Sequence, residues 1–250
     1  MQAYLTLTRR ELASFFVSMS GYVVIAGAVF LMGLSFVSII TALEGQATPM
    51  PITEVFYISE YFWLILLFSA PIITMRLFSL EKFTGTFETL MTTPVSDLQV
   101  VLAKFTAALV FYMVMWLPLA FFVIVLRYVS RDTSLLDPGA LGATFLGILL
   151  IGMLYMAIGC FASSLTRSQI TAAMISAAIG ISLFILSFVT DKLPMERSWI
   201  TETLGAISMV AHMQDFSRGA VDTRCLVFYL SLTAFFLFLT LRVVESRRWK

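Results

Sequence analysis

Charge is what this chain has least of. Of 250 residues, 16 are Lys or Arg and 15 are Asp or Glu, so 12% are charged. A soluble domain carries about a quarter. The apolar residues make up 60% of the chain and cannot all be hidden in one water-soluble core. The net charge of +1 gives no basic field for nucleic acid. There is one histidine, His212, with Asp215 three residues on, and two such groups are too few for a metal or hydrolytic site. The two cysteines, Cys160 and Cys225, lie far apart and form no disulfide framework. Cys160 sits in an apolar run and reads as a small buried hydrophobe. No G-x-x-x-x-G-K-[ST] loop is present, so nothing here is built to cradle ATP phosphates. A cleavable signal pattern is also missing, because the first apolar run is too long and lacks a small-residue cleavage site. Deep in the apolar runs there are no paired carboxylates and no Ser/His set, which argues against an intramembrane enzyme.

What is present is a series of long uncharged stretches. A spanning helix needs about 20 mostly apolar residues, and its backbone must bond within itself because lipid offers no partners. Six stretches qualify: Gly21–Leu43, Val55–Phe78, Phe105–Leu126, Gly139–Phe161, Gln169–Val189 and Cys225–Val243. The expected fold is an all-α integral membrane protein with six transmembrane helices in a single domain, 1–250. With both termini inside, the inner segments hold Arg9, Arg10, Arg76, Lys82, Lys104, Arg167, Arg242, Arg247, Arg248 and Lys250. The outer ones hold Arg127, Arg131, Lys192, Arg197, Arg218 and Arg224. That bias places both termini in the cytoplasm.

Three segments lie outside the spans. Residues 1–20 carry Tyr4, Leu5, Leu12, Phe15 and Phe16 opposite Arg9, Arg10 and Glu11. They read either as an interfacial helix or as a basic start to the first span. Residues 190–224 contain "ETLGAISMVAHM", too short to cross, which reads as an interfacial or re-entrant helix. Asp222 or Thr223 is placed to cap the last span. Arg127, Arg131 and Asp132 read as a solvated outer turn.

The third segment, 79–104, is mostly polar and rich in Thr. Phe83, Phe87, Leu90 and Met91 fall at i, i+4, i+7 and i+8, one face of a helix. Gly85 weakens the first turn, which shifts the expected start of the helix to Thr86 and puts Glu88 near its N-terminus. Pro94 stops it. Ser96 and Gln99 have the spacing of a capping box, with Val95 and Val100 as the staple, so a second helix runs through Lys104 into the third span. A short apolar-faced helix outside lipid can dock in a partner's groove, lie on the surface or be a plain loop.

The pattern Glu81, Gly85, Thr86, Glu88, Leu90, Pro94 and Lys104 resembles the permease subunits of ABC-2 type transporters. "RRELASFFVSMSGYVV" near the start and "MQDFSRGAVDTR" before the last span resemble them too. The length and these segments look most like the bacterial subgroup associated with gliding motility. The resemblance implies a multi-pass protein of the bacterial inner (plasma) membrane, itself not an enzyme, working as the permease of an exporter. It implies a cytoplasmic P-loop ATPase partner that carries the ATP and Mg, so this chain binds no cofactor or metal. It also implies a second permease copy or a related permease, with an extracytoplasmic auxiliary protein as a further partner, membrane lipid around the spans and no nucleic acid. The segment between helices 2 and 3 then looks like a coupling helix. Glu81, Phe83, Gly85, Thr86, Phe87, Glu88, Leu90, Met91 and Pro94 would form the ATPase-docking set. The alternative reading is a membrane anchor that relays ATP hydrolysis to an extracytoplasmic partner and moves no substrate.

Two further features invite two readings each. Ala172, Ser176 and Gly180 form a small-residue stripe, suited to a second copy in the resembled family or to packing within one chain. Glu60 and Arg76 border the second span as functional charges or as snorkelling side chains. About 24 Å of straight helix would separate them, too far for a direct pair.

Overall fold

The computed structural model describes residues 2–43, 54, 56–57, 59–87, 95–130, 138–192, 205 and 207–248. Among them are nine helices and no strand: α1 (Gln2–Val17), α2 (Met19–Leu43), α3 (Glu60–Thr74), α4 (Ser79–Thr84), α5 (Asp97–Ser130), α6 (Pro138–Leu165), α7 (Gln169–Lys192), α8 (Met209–Ser217) and α9 (Thr223–Arg248). Six segments are long and apolar enough to cross a membrane: Met19–Thr41, Glu60–Thr84, Asp97–Val125, Pro138–Leu165, Gln169–Phe188 and Thr223–Ser246. An even number of crossings puts both chain ends on one face, called here the terminal face.

The bundle is organised around α6. Its spanning window is 72% buried, against 22% for α2, α7 and α9. Glycines make that centrality possible by receiving neighbouring side chains where a Cβ would collide. A Cβ on Gly147 would meet Phe216 of α8 at 2.9 Å, one on Gly152 would meet the Tyr112 ring of α5 at 2.2 Å, and one on Gly159 would meet Thr74 of α3 at 2.0 Å. Two tyrosines lock the arrangement by donating to backbone carbonyls inside neighbouring helices. Tyr112 reaches the carbonyl of Ile148 at 3.4 Å, and Tyr155 that of Gly180 at 3.0 Å.

The second span is not one straight helix. Pro71 lies inside α3, and the chain turns at 75–78 before α4. Proline cannot donate to the helical ladder, and a broken turn inside a bundle needs substitute partners. Ser163 of α6 supplies them. Its hydroxyl accepts from the N–H groups of Phe78 and Ser79, at 3.0 and 3.1 Å, and donates to the Met75 carbonyl at 3.0 Å.

At the opposite face α8 dips into the bundle. It starts at Met209, whose sulfur lies 4.0 Å from the Tyr155 hydroxyl, and Gly219, just beyond its end, lies against the Ala140 backbone near the start of α6. This is the short helix expected within the 190–224 segment, part of which lies outside the described residues, and it packs on α6 and α7. Ser208 caps the helix by accepting from Ala211 N–H at 3.3 Å. A Schellman turn ends it: Ala220 N–H bonds Asp215 O at 2.9 Å, Gly219 N–H bonds Phe216 O at 3.0 Å, and Gly219 takes φ +84°. The turn aims Arg218 at Glu54, whose buried carboxylate it grips at 2.7 and 3.2 Å. His212 packs edge-on to Phe228 and Tyr229, with Nδ1 3.4 Å from the Tyr229 hydroxyl. Asp222 caps α9 by accepting from Arg224 N–H at 2.8 Å.

Because Thr74 fills the notch at Gly159, Gly159→Ala should destabilise the bundle by about 1–3 kcal/mol, the usual cost of overpacking. Gly27→Ala, with nothing within 4 Å of the new Cβ, should leave thermal unfolding in detergent unchanged or slightly raised.

Candidate functional site

The polar segment between the second and third spans sits at the terminal face, and its local structure follows from its residues. α4 ends at Gly85, the C-cap, whose φ of +76° is left-handed and costs glycine little. Thr86 follows on the exposed side, with its hydroxyl 2.9 Å from that of Thr84. The next helix, α5, opens with the reciprocal capping box expected for it. Gln99 N–H donates to Ser96 Oγ at 3.3 Å, and Ser96 N–H donates to Gln99 Oε1 at 3.4 Å. Val100 is buried and Val95 packs partly against the core.

The left-handed turn changes the expected apolar face. Phe83 is 76% exposed at the end of α4, whereas Phe87 is buried beyond the turn, with the Lys82 ammonium 5.3 Å from its ring. Gly85 reverses the chain between them, so helical spacing does not put these two rings on one face. Glu88, Leu90, Met91 and Pro94 lie outside the described residues.

Two anchors fix this segment to the bundle. The first is Lys82, buried at 7% exposure, which donates to the Ser164 carbonyl at the C-terminal end of α6. A cation there meets the negative end of a helix dipole. The second is Lys104 of α5, only 2% exposed, held between Glu81 of α4 at 2.9 Å and Glu11 of α1 at 3.2 Å. Arg10 closes the network on Glu11 at 2.7 Å and Glu81 at 3.4 Å. Lys104 also lies 5.4 Å from the Phe78 ring. Burial pushes the Glu11 carboxyl up, but Lys104 and Arg10 outweigh it and hold it below its ordinary 4.5.

The N-terminal segment is thereby a separate helix, not a fraying start to the first span. It bends at Ser18 and crosses α5, with Phe15 stacked on Phe111 at 4.9 Å and Tyr4 hydroxyl 2.7 Å from that of Thr106. Gly21 permits the elbow, since a Cβ there would strike the Phe15 carbonyl at 2.2 Å. Arg76 bonds this elbow through Ser18 and Ser20 hydroxyls and the Ser14 carbonyl at 2.6–2.8 Å. Glu60, at the other end of the span, is exposed. The stripe of Ala172, Ser176 and Gly180 is buried within the chain, where α7 packs on α3 and α6 and the Tyr155 ring covers Gly180.

The family resemblance singled out Glu81 and Lys104, but nothing in the sequence joined them to Lys82, Ser163, Ser164, Glu11 or Arg10 as one assembly. Their partners lie up to 93 residues away, and helix periodicity carries no signal at that range.

Lys104→Met should cost about 3–5 kcal/mol, because it leaves two largely buried carboxylates to the half-exposed Arg10 alone. Adding Glu11→Gln and Glu81→Gln should recover most of that in thermal unfolding. A second expectation concerns acid. Glu11 binds its proton more weakly folded than unfolded, so its contribution is full above the ordinary carboxylate range and is lost as pH falls through its depressed folded value. Below pH 4.5 the melting temperature should therefore fall, and Glu11→Gln should flatten that fall.

A comparison with curated proteins finds no match. The family model described as "ABC-2 family transporter protein" matches residues 40–216, a stretch that runs from the end of α2 into α8 and takes in the polar segment and both of its lysine anchors. The chain belongs to the ABC-2 transporter family and is a membrane permease component.

Proposed function

We propose that this chain is the membrane-spanning subunit of an exporter driven by a separate cytoplasmic ATPase, which docks on the terminal face at α4 and the segment that follows it. The observation that carries this reading is the contrast at Gly85. Phe83, an aromatic ring 76% exposed, stands on a six-residue helix whose other side is anchored by two buried lysines. An exposed ring on a rigid mount suits a partner's groove. ATP and Mg would sit on the partner, since this sequence has no phosphate-binding loop.

The anchors suggest how force would be passed on. A push on α4 moves Lys82 and the 75–78 turn, and with them the end of α6. Through Glu81 and Lys104 it also moves α5 and α1. Four elements would then tilt together and open a path outward. In this reading both termini are cytoplasmic, in agreement with the bias of Lys and Arg, and the membrane is a bacterial inner membrane. Pairing with a second permease rests on the family resemblance. The small-residue stripe is engaged within the chain, so pairing would use outward faces such as Ile170, Met174 and Ile181 of α7. The anchor-and-relay alternative shares the docking face and differs in whether a cargo crosses.

Phe83→Asp is the direct test. It should lower the yield of co-purified ATPase several-fold and leave the melting temperature of the permease unchanged. Phe87→Asp, at a buried ring, should lower both. An unchanged ATPase yield with Phe83→Asp would refute docking at this surface.

A further inference from the structure

Beside the lysine network a cleft of about 650 Å³ opens at the terminal face, lined by Arg10, Glu11, Arg76, Glu81 and Lys104 with Ser14, Thr86, Phe15, Leu77 and Leu80. Its charges do not cancel. Glu11 and Glu81 are each shared by Lys104 and Arg10, so those four side chains are neutral together. The charge left over is Arg76. Its three hydrogen bonds go to neutral oxygens, two from Nη1 and one from Nη2. A guanidinium has five N–H donors, so Nε–H and one Nη2–H remain without a partner among the described residues. They are available to an anion, on a guanidinium held over the Phe15 ring at 5.2 Å.

The surroundings name the anion's carrier. Arg76 holds the α1–α2 elbow, and that elbow presents Val17 and Met19, 84% and 82% exposed, the two most exposed large apolar residues among those described. Next along α2 is Tyr22, 60% exposed. A leftover cation at the end of a spanning helix, beside exposed apolar side chains, matches a phosphate with acyl chains attached.

We propose that this cleft is a binding site for the headgroup phosphate of an anionic phospholipid, with Arg76 as the recognising group and the elbow as the seat of the acyl chains. The cleft shares Leu80, Glu81 and Thr86 with the proposed docking segment, whereas Arg76 and the elbow lie outside it. It would tie the elbow, and through it α1 and the Lys104 network, to the lipid of one leaflet.

Native mass spectrometry of the full chain, titrated with phosphatidylglycerol, with phosphatidylcholine and separately with inorganic phosphate, tests this. Phosphatidylglycerol should form adducts at concentrations where phosphatidylcholine does not. Arg76→Gln should weaken them at least about tenfold, as expected for a lost charge-assisted contact. Ser14→Asp leaves Arg76 and its bonds in place and supplies the missing carboxylate from an exposed position, so it should do the same without lowering the melting temperature. It also carries the test if Arg76→Gln does not fold. Equal binding of the two lipids, or wild-type binding by the Ser14→Asp protein, would overturn the proposal. Binding of inorganic phosphate as tight as that of the lipid would assign Arg76 to a soluble anion and overturn the lipid assignment.

Discussion

A buried cation in a bundle this poor in charge must be answered on the spot. Lys104 is answered from two directions, by Glu11 and by Glu81, and the geometry of the terminal face follows from that need. An ammonium removed from water is costly unless it is paired and hydrogen-bonded. To supply two carboxylates, α1 must lie across α5 and α4 must turn in beside both. Gly21 allows the first by letting the backbone pass within contact of Phe15. The turn at 75–78 allows the second, and Ser163 makes that turn tolerable by meeting the backbone groups it frees. Ionic pairing here sets the positions of elements more than it adds stability.

The interior is held by different means. α6 is notched by Gly147, Gly152 and Gly159, and each notch receives a side chain from a different helix. Apolar helices in lipid gain little from burying more apolar surface, so close shape and a few hydrogen bonds must do the selecting. The tyrosines illustrate this: Tyr112 and Tyr155 fill glycine notches with their rings and use their hydroxyls on backbone carbonyls of α6 and α7. This also explains the small-residue stripe of α7. Gly180 is small because Tyr155 lies on it.

Much of this was legible in the sequence where a local rule applied. Gaps between charges located the six spans because lipid tolerates little else. The Ser96–Gln99 spacing located the start of α5, since a capping box is complete within four residues. The apolar face through Phe83 and Phe87 was less secure, because it assumes an unbroken helix and Gly85 adopts φ +76°. Spacing cannot reveal whether a glycine will use its freedom. Glu54 and Arg218 were illegible as a pair for another reason: 164 residues separate them. Only the fold of α8 and its left-handed stop at Gly219 brings them together.

The two faces of the bundle differ in what holds their short helices. At the opposite face, Arg218 and Gln214 share the Glu54 carboxylate, Ser187 of α7 accepts from the Val210 N–H, and Tyr229 of α9 meets His212, so α8 is held mostly by uncharged contacts around one ion pair. At the terminal face, Lys82, Lys104 and Arg76 connect α4 and the α3–α4 turn to α6, α5 and the α1–α2 elbow through separate bonds. A displacement applied to α4 is therefore shared at once among α1, α5 and α6, through bonds whose positions are set by where the few charged residues of this chain are placed.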